Sequence, residues 1–168
     1  MMNRLSNVIS KIRRNHALEH ATIQVLSRKY PGKGLVGNSD ARGFWIFGEV
    51  STETLQQAVD EAAARLKRGE RQLAIHPNCG TNYVTSGILA GMLAWLVMLG
   101  ARRSLRENLD RLPLVMTLVT MGLIFAQPLG PLIQTRFTTD AQIGELQVVE
   151  ITRYQRGDIP VHRIKTRH

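Results

Sequence analysis

Residues 84–100 read VTSGILAGMLAWLVMLG, and this apolar stretch decides the fold of the chain. It lies within residues 72–101, which contain no Asp, Glu, Lys or Arg. A second stretch without these residues runs over 112–135 and is most apolar at 114–126. A helix that spans a bilayer needs roughly 20 predominantly apolar residues, with about 17 as the lower limit. Both stretches are near that limit, so the sequence predicts two membrane-spanning helices.

Residues 102–111 join the two stretches and carry four arginines. So short a charged connection predicts a helical hairpin that crosses the bilayer twice. Gly87 and Gly91 form a small-xxx-small pattern, which lets two membrane helices approach closely. The alternative is a pair of buried core helices in a soluble protein.

The residues on either side of the hairpin predict a small α+β domain. Helices are expected at 3–29 and 52–68, and strands at 35–36, 43–50, 72–75, 145–154 and 161–165. The predicted organisation is a soluble α+β part at 1–82, a transmembrane hairpin at 83–133 and a β-hairpin at 134–168. The last segment is expected to complete the sheet of the first.

The chain is basic, with 22 Lys and Arg against 13 Asp and Glu and a net charge of +9. Such an excess is typical of proteins that contact nucleic acid or anionic lipid. The charge is spread along the chain and no recognition motif accompanies it, so nucleic acid is the least expected partner and the lipid bilayer is the preferred one. No feature of the sequence indicates an oligomeric state.

The expected location is the cell membrane, with two spans. A hairpin places both soluble parts on the same side of the membrane. Arginines occur both in the connection and beside the soluble parts, so charge does not determine which side that is. Residues 1–14 lack the apolar core of a signal peptide, which favours the cytoplasmic side. The single cysteine, Cys79, excludes an internal disulfide.

The candidate site begins with His16-Ala17-Leu18-Glu19-His20, an H-x-x-E-H motif. On a helix the two histidines and the glutamate share one face, so the imidazoles could chelate one Zn²⁺ or another divalent transition metal. Glu19 could then act as the base on a metal-bound water. The three side chains fall within an apolar stripe, where ionisable groups are costly unless they are paired or bound to metal. The alternatives are a Glu–His packing pair and a solvated kink in the stripe.

A catalytic zinc usually has three protein ligands. His76 is the preferred third ligand, and Cys79 could also ligate or act as a nucleophile, although each could simply be structural. Further options are Asp40, Glu49 and His162, of which His162 is expected to be structural or on the surface. His168 is terminal and is expected to be disordered.

Three polar residues near the start of the first apolar stretch are candidates for binding substrate: Asn78, Thr81 and Asn82. They could bind substrate backbone or stabilise an oxyanion. Equally, Asn78 could lie in a turn, and Thr81 or Asn82 could cap the membrane helix.

The motifs NHALEHAT at 15–22, GFWIFG at 43–48 and HPNCGTN at 76–82 together resemble an uncharacterised bacterial membrane-protein family, a domain of unknown function found among cyanobacteria and related bacteria. The resemblance covers most of the chain from about residue 14, and it implies a bacterial membrane protein without implying an activity. H-x-x-E-H alone is similar to the inverzincin peptidases of the insulysin and pitrilysin kind. That similarity implies His16 and His20 as ligands and Glu19 as base. Those enzymes use a distant glutamate as the third metal ligand. In this chain, His76 is expected to take its place.

The leading hypothesis is therefore a membrane-anchored zinc hydrolase, most similar to a peptidase, that acts on a peptide or protein carbonyl near the membrane surface. The alternative is a small non-enzymatic membrane protein for binding or assembly, with a structural metal site or His/Glu packing network. A third hypothesis is haem ligation by paired histidines.

Overall fold

The computed structural model describes residues 2–32, 34–100 and 104–168. The chain divides into two units: unit 1 comprises Met1–His76 with Thr135–His168, and unit 2 comprises Pro77–Gln134. Arg102 and Arg103, part of the predicted charged connection, lie outside the described residues.

Unit 1 contains two α-helices and one antiparallel sheet, so the predicted α+β class is confirmed. The four strands lie in the order β1-β2-β4-β3, and β2 pairs directly with β4. The elements are α1 Met2–Lys29, β1 Val36–Asp40, β2 Gly43–Phe47, α2 Thr52–Lys67, β3 Gln147–Arg156 and β4 Ile159–Arg167. The C-terminal strands thus complete the sheet that the N-terminal strands begin.

The core of unit 1 lies where both helices pack with the sheet. Leu18 and Leu26 of α1, Leu55 of α2, Phe44 of β2 and Ile164 of β4 are all fully buried. Ser51 caps α2, since its hydroxyl accepts a hydrogen bond from the backbone N–H of Thr54 at 3.1 Å. Such a cap satisfies one of the N–H groups that a helix start leaves unpaired.

Two local predictions differ from the structure. Residues 72–75 are not a strand, because a 3-10 helix occupies Arg71–Ala74 and α1 side chains, not a neighbouring strand, bind the carbonyls of 73–75. Residues 37–42, which separate the predicted strands 35–36 and 43–50, are mostly strand, because β1 pairs with β2 over its whole length and only Ala41–Arg42 turns.

The apolar stripe predicted for α1 is only half buried. From Asn15 to Leu26 nearly every residue is enclosed, including those on the face opposite the motif. Leu5, Val8 and Ile9, by contrast, are 64%, 43% and 47% exposed. Periodicity identified the face correctly, but it could not show where along the helix the partner elements stop.

Unit 2 is a pair of apolar helices, α3 Gly80–Met98 and α4 Leu105–Ile133, and a π-helical turn Gln134–Thr138 follows α4. Both are long and apolar enough to cross a membrane: 18-residue windows within Gly80–Met98 and Leu105–Thr138 have mean hydropathies of 1.3 and 1.8. No described residue of α3 is buried, so α3 does not resemble the core helix of a soluble protein.

The contact between α3 and α4 uses glycines other than the predicted ones. A Cβ on Gly87 or Gly91 would meet open space, whereas one on Gly122 would overlap Leu93 and one on Gly130 would overlap Asn82. The helices therefore approach closely at glycines of α4.

Candidate metal centre

His16 and His20 lie on consecutive turns of α1 with their ring centroids 4.2 Å apart. One ring nitrogen of each lies within 4.8 Å of the other. His20 is buried and His16 is half-buried. The motif predicts that residues four positions apart share one face of the helix, and in the structure their two imidazoles are adjacent.

Backbone carbonyls fix the tautomer of both rings. Nδ1 of His16 lies 3.0 Å from the carbonyl oxygen of Thr138, and Nδ1 of His20 lies 2.7 Å from that of Ala74. A carbonyl oxygen can only accept, so each Nδ1 carries the hydrogen and each neutral ring has its lone pair on Nε2. Metal-bound histidines almost always donate their other ring N–H in this way, which orients the ring and raises its basicity.

His76 follows the 3-10 helix, and α1 holds the segment in front of it. The side-chain amide of Gln24 donates to the carbonyls of Leu73 at 2.9 Å and Ile75 at 2.8 Å. With the His20–Ala74 bond, three successive carbonyls are thus bound by α1. The ring of His76 lies 5.6 Å from that of His20, between centroids.

Burial lowers the pKa of His76, and the nearby charge of His20 lowers it further. A lowered pKa favours the neutral imidazole at physiological pH. Only the neutral form can bind a metal.

Glu19 is buried, with 4% of its surface exposed, and its carboxylate lies against β1. The hydroxyl of Ser39 donates to Oε2 of Glu19, and a Cβ on Gly37 would overlap the carboxylate. Burial raises the pKa of Glu19, and the Ser39 hydrogen bond and the charge of His16 oppose this only in part. Its carboxyl therefore exchanges a proton nearer to neutral pH than an ordinary glutamate does, which suits a general base.

The other candidate ligands of unit 1 have structural partners. Asp40 accepts from the guanidinium of Arg163 at 2.8 Å and from the backbone N–H of Arg42 at 2.7 Å. Burial alone would raise the pKa of Asp40, but these donors outweigh it and lower the pKa. Asp40 therefore belongs to the sheet and its turn.

The remaining two candidates of unit 1, His162 and Glu49, lie elsewhere in the fold, as does the terminal His168. His162 is fully buried in β4 with Nε2 at 3.2 Å from Oγ1 of Thr52, in line with a structural role. Glu49 lines a surface cavity of about 280 Å³ with Ser51 and others. His168 is half-buried at the end of the chain, contrary to the expectation of disorder.

Cys79 and the polar candidates belong to unit 2. The thiol of Cys79 caps α3 by accepting from the N–H of Thr81 at 3.4 Å, so the predicted cap residues Thr81 and Asn82 do not have that role. The amide of Asn82 donates to the carbonyl of Pro77, and Gln134 donates to Asn82 Oδ1, both at 2.6 Å. Substrate binding by Asn78, Thr81 and Asn82 stays a prediction.

The sequence motifs do not indicate the residues that support the imidazoles and the glutamate. Gln24 and Ser39 hold the 73–75 segment and the Glu19 carboxylate, and Gly37 leaves room for that carboxylate. Asn15 is fully buried and joins α1 to the sheet, donating to the carbonyl of Asp40 at 2.8 Å. Asn15 and Gln24 lie on the same predicted helix as the motif, and these polar side chains were the sequence signal for such supporting residues.

Comparison with known proteins gives a family without an activity. The model of a domain of unknown function, DUF6391, matches residues 11–151. An uncharacterized protein of Picosynechococcus sp. (strain ATCC 27264 / PCC 7002 / PR-6) is 34% identical over 171 residues, which cover 93% of this chain and 79% of that protein. No solved structure matches the chain.

Proposed function

The chain belongs to the DUF6391 family, a domain of unknown function, and we propose that it is a membrane-anchored protein that binds a divalent transition metal, preferably Zn²⁺, through His16, His20 and His76. The observation that carries the proposal is the pair of hydrogen bonds from Nδ1 of His16 and His20 to backbone carbonyls. They supply two adjacent imidazoles in the tautomer that a metal requires.

The donor set suits zinc in type and in spacing. Imidazole is a preferred ligand of Zn²⁺, and Zn–N bonds of about 2.0–2.1 Å in a tetrahedron place ligand nitrogens about 3.3 Å apart. One ring nitrogen of His16 and one of His20 already lie within 4.8 Å of each other. His76 is the proposed third ligand because its ring centroid lies 5.6 Å from that of His20 and its pKa is lowered. Metal ligation by Cys79 stays a prediction.

Membrane anchoring accounts for the composition and exposure of the hairpin. Large apolar side chains of α3, such as Ile88, Met92 and Trp95, are 56–63% exposed. Contiguous apolar surface of this kind is rarely left in contact with water. We propose that lipid covers it, with two spans and unit 1 on the cytoplasmic side.

Hydrolysis is the activity that this site supports best. A bound Zn²⁺ would act as a Lewis acid and supply a nucleophile at neutral pH. Glu19 is the group of this chain that would take up the proton, at its carboxylate, and its raised pKa fits that task. The proposed substrate is a peptide or protein whose carbonyl carbon is attacked.

One observation favours the non-enzymatic alternative. The Glu19 carboxylate is held against β1 by the hydroxyl of Ser39. A carboxylate held in this way could serve only to pack α1 onto the sheet, next to a structural metal.

Glu19→Gln distinguishes the two functions, because glutamine keeps the shape and can still accept from Ser39. For the enzyme, we expect the purified variant to retain its metal and to lose at least about 100-fold in peptide hydrolysis. For the structural role, we expect a lower melting temperature and no activity in either protein. Glu145→Gln, at an exposed position outside the helices and strands, is the matched control and should change neither quantity.

A further inference from the structure

We propose that the N-terminal part of α1, residues 4–12, lies flat on the surface of an anionic lipid bilayer. Leu5, Val8 and Ile9 recur at helical spacing, share one face and are 64%, 43% and 47% exposed. Three apolar side chains within five residues form a continuous strip on the helix surface. The inference rests on the membrane anchoring proposed above and is independent of the metal.

The charge of this segment matches an anionic surface. Residues 2–18 contain Arg4, Lys11, Arg13 and Arg14 and no acidic residue. At about 100° per residue, Arg4 and Lys11 fall beside one edge of the apolar strip. A helix with an apolar face bordered by Lys and Arg is typical of segments that lie in the membrane interface.

Arg13 and Arg14 have partners within unit 1 and anchor this helix to its own fold. The guanidinium of Arg13 donates to the carbonyls of Arg136 at 3.2 Å and Thr139 at 3.0 Å, and Arg14 lies 3.5 Å from a carboxylate oxygen of Asp140. The basic side chains assigned to lipid are therefore Arg4 and Lys11. A second copy of this chain is a poorer occupant, because its own Arg4 and Lys11 would meet the same charges.

The test uses the full-length chain reconstituted into vesicles of phosphatidylcholine alone or of phosphatidylcholine and phosphatidylglycerol in equal parts. An environment-sensitive fluorophore is attached at Ile9→Cys and, as a matched control, at Asn7→Cys, which is about 200° further round the helix. Cys79 is buried, and the unsubstituted chain measures its background labelling. We expect the Ile9 probe to shift to shorter wavelength and to resist acrylamide quenching in anionic vesicles, and the Asn7 probe to remain quenched.

Replacing Arg4 and Lys11 by Gln tests the charge. The ratio of docked to undocked helix should fall about fivefold for each charge removed, which corresponds to about 1 kcal/mol per basic residue at an anionic surface. Equal quenching at positions 7 and 9 would overturn the inference, as would equal protection in neutral vesicles. Protection in detergent that grows with protein concentration would assign the strip to a second copy instead. Flotation with the vesicles after carbonate washing reports the hairpin separately, so failed anchoring and failed docking give different results.

Discussion

Gly37→Ala tests the position of Glu19 through a single added methyl group. The φ of Gly37 is not in the left-handed region, so alanine is compatible with the backbone and the effect is steric. The new Cβ would overlap the carboxylate of Glu19, which is buried and cannot move freely. Overpacking of this kind costs about 1–3 kcal/mol. Loss of the hydrogen bond from Ser39 would add about 1 kcal/mol.

The assay is thermal unfolding of the purified chain in detergent, followed by circular dichroism. A loss of about 1 kcal/mol lowers the melting temperature by about 2–4 °C in a chain of this size, so a total cost of about 2–4 kcal/mol should lower it by about 4–16 °C. Gly34→Ala is the matched control: a Cβ there meets open space, and the stability should change by less than about 0.5 kcal/mol.

A double-mutant cycle provides the refutation. In a Glu19→Ala background the overlapping carboxylate is gone, so Gly37→Ala should then cost little. If Gly37→Ala costs the same with and without the Glu19 carboxylate, the placement of that carboxylate against β1 is wrong.

Three further predictions follow from other contacts. Gln24→Ala should lower the affinity for Zn²⁺ about 10–100-fold, because the segment that positions His76 loses two hydrogen bonds. Competition with a chromophoric chelator measures this affinity, and an unchanged affinity would show that Gln24 does not support the site. Asp40→Asn should destabilise the chain by about 0.5–1 kcal/mol at pH 7 and by less at pH 3. A carboxyl with a lowered pKa stabilises the fold above its unfolded pKa, and this contribution is lost on acidification. Urea unfolding at both pH values measures the loss of stability, and an equal loss at both would contradict the ion pair. Gly130→Ala should destabilise the hairpin and Gly87→Ala should not, as measured by melting temperature in detergent; the reverse order would show that α3 and α4 meet at a different face.

The sequence predicts the parts of the fold that depend on local pattern. Residues 84–98 of the apolar stretch lie in α3, and the strand-prone Phe44 and Ile46 of β2 lie in the core. The face shared by His16 and His20 was also predictable, because helical spacing determines it.

The parts that depend on distant contacts were not predictable from the sequence. The carbonyls that set the tautomers of His16 and His20 belong to residues 122 and 54 positions away. Residues 71–74 form a 3-10 helix, and α1 side chains bind the carbonyls of residues 73–75. No local sequence pattern shows these contacts. The exposure of Leu5 has the same origin: periodicity identifies a face, and only the tertiary fold determines how much of it is covered.

The most direct test of the metal centre is the metal content of the purified full-length chain, measured by inductively coupled plasma mass spectrometry. We expect about one zinc or other transition-metal ion per chain, its loss in His16→Ala and His20→Ala, and its retention in His168→Ala, which also removes one imidazole. Unchanged metal content in both His16→Ala and His20→Ala would contradict a metal centre at these histidines.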